Sequence, residues 1–170
     1  MKYVGKAVVA GVLLLGLAVP LLAAGAGAPG SERRAERLEA AKERHEAKYQ
    51  ERKTEVEKRH AERMAKLKAR LDASNRLTDP QKQEIMAFFE QQYTENMTFW
   101  NKQHEENVTY LGGLIARNDL TGDQIRQMIK DHVTVQKAEW EKERAQQKTE
   151  GQAEKAKIKG EVVNGQKAGP

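Results

Sequence analysis

Three four-residue blocks recur at a spacing of 11: Met86-Ala87-Phe88-Phe89, Met97-Thr98-Phe99-Trp100 and Val108-Thr109-Tyr110-Leu111. Between them Gln92 matches Gln103, Glu95 matches Glu106 and Asn96 matches Asn107. An 11-residue period is about 3.67 residues per turn, so it describes an α-helix whose apolar stripe runs nearly straight or winds slightly right-handed. The stripe is broad, aromatic and rich in Met, and it needs a partner surface. Three occupants fit it: a helical core, a client chain held on exposed apolar surface, or a lipid surface, where tandem amphipathic repeats also occur.

The same step is visible upstream. Residues 31–73 contain no Gly or Pro and are dominated by Ala, Glu, Lys and Arg, which predicts one long helix. Opposite charges three or four apart, such as Glu55–Arg59, Glu62–Lys66, Lys42–Glu46 and Lys53–Glu57, add roughly 0.2–0.5 kcal/mol each. Its apolar stripe is Leu38, Ala41, His45, Tyr49, Val56, His60, Met64, Leu67 and Leu71. The C-terminal third is the most apolar, so the N-terminal part is expected to be a nearly solvated single helix.

Leu77-Thr78-Asp79-Pro80-Gln81 and Leu120-Thr121-Gly122-Asp123-Gln124 share one pattern, Leu-Thr-x-x-Gln. Thr followed three residues later by Gln is a capping box. The hydroxyl accepts from the N3 amide while the Gln side chain reaches back to the cap's own N–H. Leu120 can staple onto Ile125; at the first copy that position is Lys82. A cap at Asp79 with Pro80 at N1 is the alternative start. These features predict one helix from about Pro80 to Leu111, broken at Gly112-Gly113. A second helix is predicted after Thr121, with Ile125, Met128, Ile129, His132, Val133, Val135 and Trp140 inward, fading near Lys148. Residues 150–170, rich in Gly, Lys and Gln, are expected to be disordered.

The N-terminus reads as an export signal. Lys2 and Lys6 precede an apolar run from Ala7 to Leu22, followed by the small residues Ala23 to Ala28, which predicts cleavage after Ala26. An uncleaved anchor would need about 20 apolar residues, more than this run supplies. The domain reading is therefore a signal peptide over 1–26, a linker and long charged helix over 27–76, a two-helix domain over 77–149 and a tail over 150–170.

Charge is unevenly distributed. Residues 31–76 carry 15 Lys/Arg against 10 Asp/Glu, and residues 77–149 carry 9 against 12. A basic segment beside an acidic one is expected to pair with it, within or between subunits. Interleaved glutamates make nucleic acid a poor partner. Cysteine is absent, which excludes disulfides and thiolate metal sites. The four histidines are His45, His60, His104 and His132. His45 and His60 lie 15 apart on one helix, roughly 22 Å at 1.5 Å per residue, too far to share an ion. A zinc site is not expected, nor is any cofactor. Seam histidines could instead make association pH-sensitive. Ser31 and Ser74 are the only serines and no Gly-rich loop precedes a helix, so nothing points to an enzyme.

Leu77-Thr78-Asp79-Pro80-Gln81-Lys82-Gln83-Glu84-Ile85 resembles the first signature of the Spy/CpxP family, and Leu120-Thr121-Gly122-Asp123-Gln124 the second. That resemblance implies an all-helical periplasmic protein, commonly an antiparallel dimer shaped as a shallow cradle, that binds unfolded proteins without ATP. Related members associate with envelope stress signalling or zinc. Two features depart from the pattern: only 43 residues separate the motifs, and a long charged helix precedes the first.

Together these readings predict an all-α protein of long amphipathic helices, in an extended hairpin or bundle, forming a homodimer. It would act as an ATP-independent chaperone or envelope-stress binding protein for unfolded or misfolded envelope proteins. Clients would be held by Arg59, Arg63 and Lys66 with Phe88, Phe89, Phe99 and Trp100. The rival readings are a structural coiled-coil oligomer and a metal-responsive or membrane-surface binding protein.

Overall fold

The computed structural model describes residues 31–167, and the segments assigned to the signal peptide, its cleavage site and the last three residues lie outside them. The described chain is all-helical, with three long helices and no strand. They are α1 (Ser31–Asp72), α2 (Asp79–Ile115) and α3 (Gly122–Lys167). No helix among the described residues is long and apolar enough to cross a membrane.

Both Leu-Thr-x-x-Gln motifs start a helix through the same reciprocal bonds. The Thr78 N–H donates to Gln81 Oε1 at 3.0 Å and the Gln81 N–H to Thr78 Oγ1 at 3.4 Å. At α3 the Thr121 N–H donates to Gln124 Oε1 at 2.7 Å and the Gln124 N–H to Thr121 Oγ1 at 3.2 Å. The first intrahelical bonds run from Lys82 to the Thr78 carbonyl and from Ile125 to the Thr121 carbonyl. Threonine is therefore the cap in both, and Pro80 sits inside the first turn of α2, where its missing N–H is no loss. Leu120 and Ile125 share one buried cluster, as a staple requires.

Two boundaries and one side-chain orientation differ from the sequence reading. Gly112 and Gly113 do not break α2, which runs on to Ile115 with the Ala116 N–H bonded to the Gly112 carbonyl at 3.2 Å. Each glycine costs about 1 kcal/mol in a helix, but Leu111 and Leu114 on either side are buried at 0% and 3% exposure, and that packing outweighs the penalty. Residues 150–167 are helical rather than disordered. Ala, Glu, Lys and Gln there are good helix formers, and Lys157 forms an ion pair with Glu84 of α2. Finally, Val135 points outward at 58% exposure, whereas Trp140 is buried.

The chain divides into two compact units, and each helix contributes to both. Among the described residues, unit 1 comprises Val56–Met97 with 141–167, and unit 2 comprises 31–55 with Thr98–Trp140.

Unit 2 holds the core. Leu38, Leu111, Leu114, Leu120, Ile125 and Ile129 form one buried cluster, flanked by Tyr110, Ile115, Met128 and Val133. Arg34 fastens the α2–α3 connection, its guanidinium donating to the backbone carbonyls of Leu120 and Asn118. The N-terminal part of α1 is thus not a solvated helix: Leu38, His45 and Tyr49 are all buried. Side chains from α2 and α3 cover it, which the α1 sequence alone does not reveal.

Unit 1 contrasts with this. Its one buried apolar side chain among the described residues is Leu71. Met64, Leu67, Ile85, Met86, Phe88, Phe89 and Met97 are only half-buried.

Candidate functional site

The seven residues expected to hold clients divide between the units. Arg59, Arg63 and Lys66 lie on α1 in unit 1 and are all exposed. Their i, i+4, i+7 spacing puts them on one helical face. Phe88 and Phe89 belong to the same unit, both half-buried, with ring centroids 5.7 Å apart in an edge-on arrangement. Phe99 and Trp100 belong to unit 2, where each already has a partner. Phe99 packs on Trp140 with centroids 5.2 Å apart, and Trp100 on Tyr49 at 4.8 Å. The residues brought together in one unit are therefore Arg59, Arg63, Lys66, Phe88 and Phe89.

Sequence reasoning placed the histidines on helix seams but missed what they pair with. Three of them lie flat on a tyrosine of a neighbouring helix. In unit 2, His104 of α2 stacks on Tyr49 of α1 with centroids 3.6 Å apart and planes 4° from parallel. His132 of α3 stacks on Tyr110 of α2 at 4.0 Å and 7°. In unit 1 the types are exchanged between α1 and α2, His60 lying on Tyr93 at 3.6 Å and 8°. The signal was present in the 11-residue step: Tyr49 and His60 are 11 apart on α1, as are Tyr93 and His104 on α2.

The polar atoms of these rings are also engaged. His104 Nδ1 and His45 Nε2 face each other at 3.2 Å, so one carries the shared proton. Burial, reinforced by His104 beside it, holds His45 down at about 4. Burial also lowers His104, opposed by Glu46 and Glu105. His132 Nε2 meets Asn107 Oδ1 at 2.9 Å and is likewise lowered by burial, with Glu106 and Glu139 opposing. His60 Nε2 meets a Glu90 carboxylate oxygen at 2.9 Å. Burial, then Glu57 and Glu90, raises the Tyr93 phenol.

A second feature not anticipated is a glutamine pair between α2 and α3. In unit 2, Gln103 and Gln136 are both buried, and each side-chain amide donates to the other's backbone carbonyl. In unit 1, Gln92 Nε2 donates to the Gln147 carbonyl at 3.5 Å. Buried polar groups bonded across a seam fix register, because a slip strands them.

No group of three or more His, Cys, Asp or Glu side chains suited to a metal ion occurs among the described residues. Comparison of the chain with protein families, curated proteins and solved structures finds no match.

Proposed function

We propose that the chain is an exported, ATP-independent binding protein for unfolded or misfolded envelope proteins, of the Spy/CpxP type, working as a homodimer in the periplasm. One observation carries this reading. Among the described residues, eight of the nine buried apolar side chains belong to unit 2, and unit 1, which also carries the cationic face of α1, keeps Met64, Leu67, Met86, Phe88, Phe89 and Met97 half-covered. A packed unit would hold the molecule together. A half-covered one offers apolar area and positive charge to a chain with no fixed shape, and the Met side chains there adapt to varied partners. The capping boxes set where α2 and α3 begin and make no client contact.

Reversing charge with Arg63→Glu and Lys66→Glu, together with Phe89→Ala, is expected to weaken capture of an unfolded client while leaving the thermal melt in place. Capture unchanged by all three substitutions would reject this face.

A structural helical oligomer is the second reading, favoured by Phe99 and Trp100, which are already packed on Trp140 and Tyr49. Binding of a dye specific for exposed apolar surface separates the two: the oligomer predicts little.

A further inference from the structure

The seam between α2 and α3 is filled in unit 2 and open in unit 1. In unit 2, Phe99 meets Trp140 close to the reciprocal Gln103–Gln136 pair. In unit 1, the Gln92–Gln147 bond takes the corresponding places, 11 residues back on α2 and 11 on along α3. By the same step Phe88 stands where Phe99 stood, but the position of Trp140 is taken by Gly151. An indole is replaced by a hydrogen atom. A groove of about 440 Å³ runs along this seam, lined by Phe88, Gln92, Glu95, Glu150, Ala153 and Glu154.

The groove has a definite chemistry. Its apolar surface includes the Phe88 ring, and three carboxylates line it. Glu95 accepts from Gln91 Nε2 at 2.8 Å and Glu150 from Gln146 Nε2 at 2.9 Å. Both donors are neutral amides, so they orient the carboxylates and leave the charge in place. The one cation in the lining, Lys157, is bound to Glu84. A volume of this size suits a side chain with its flanking backbone. An aromatic ring within reach of carboxylates favours a group with an alkyl stem and a cationic head.

We infer that this groove binds an arginine or lysine side chain of an extended polypeptide segment. The stem would lie on Phe88 and the head among Glu95, Glu150 and Glu154. The inference rests on the client-binding reading and gives it a second, oppositely charged contact. The α1 face would hold acidic client segments and the groove basic ones.

The test uses the full chain and a short labelled Gly/Ser/Leu peptide carrying paired arginines, beside the same peptide with citrulline. Ala153 lines the groove from an exposed position on α3, and leucine is also a good helix former, so Ala153→Leu narrows the groove in a folded protein. Fluorescence anisotropy is expected to show saturable binding of the arginine peptide. Citrulline, Ala153→Leu, or the pair Glu95→Gln and Glu154→Gln should each weaken it roughly tenfold. Binding unchanged in Ala153→Leu, or no binding to the wild-type chain, would overturn the inference. Free spermidine competing at the concentration of the peptide would also overturn it, by making a polyamine the occupant. Aggregation suppression measured in parallel keeps the two readings apart. A wild-type chain that suppresses aggregation without binding the peptide loses only the groove. One that binds the peptide and suppresses nothing loses only the chaperone reading.

Discussion

Gln103 and Gln136 exchange side-chain amides across the α2–α3 seam, Nε2 to backbone carbonyl, at 3.1 Å in one direction and 3.4 Å in the other. Both side chains are 6% exposed, so water cannot replace either bond. Gln103→Ala removes the Nε2 donor to the buried Gln136 backbone carbonyl and is expected to cost about 1–3 kcal/mol. Replacing both by leucine removes both polar groups together and should recover most of that loss. Urea unfolding of the single and double variants measures the coupling directly.

Acid sensitivity follows from His45. Its folded value of about 4 lies below the ordinary 6.5, so between those pH values the unfolded chain binds the extra proton. The contribution is complete above about pH 6.5 and is lost as pH falls towards 4, on the order of 2 kcal/mol. His104 and His132, lowered in the same direction, add to the trend. Unfolding midpoints should therefore fall between pH 7 and pH 4.5, and His45→Phe should flatten that profile. A midpoint that rises on acidification would contradict the burial of the imidazole.

Core substitutions should divide by unit. Leu111→Ala and Ile125→Ala, at sites with 0% exposure, are expected to cost about 2–5 kcal/mol. Met86→Ala in unit 1, where the side chain is half-covered, should cost well under half of that. Amide hydrogen exchange should be faster in 79–97 than in 103–115 of the same helix.

The capping boxes give a separate prediction. Thr78→Ala and Thr121→Ala should each destabilise by about 1 kcal/mol, read by chemical denaturation. Client capture should be retained at temperatures well below the melt. Loss of capture at unchanged stability would make the motifs ligand contacts rather than helix starts.

The capping boxes and the span of α1 were legible because their determinants are local. Thr and Gln three apart bond to each other, and an uninterrupted Ala/Glu/Lys/Arg run has no reason to stop before Ala73-Ser74. The sequence also placed Tyr49 with His60 on one face of α1. It could not say which face is covered, because that is decided by the opposing helix. Leu38 looks solvated in isolation and is buried by residues more than 70 positions away, such as Leu111 and Ile125. The same ambiguity hid the groove: Phe88 and Phe99 are equivalent in α2, and the opposing residues of α3 decide that Phe99 packs on Trp140 while Phe88 lines a groove. Gly112-Gly113 misled for the converse reason, since burial of Leu111 and Leu114 overrides a local helix breaker.

The most direct measurement is suppression of aggregation of a chemically unfolded client by the full chain, without ATP, at stoichiometric and lower ratios. The half-covered unit 1 face predicts suppression that saturates near stoichiometry and weakens with Arg63→Glu, Lys66→Glu and Phe89→Ala. A folded protein that leaves client aggregation unchanged at every ratio would contradict the client-binding account.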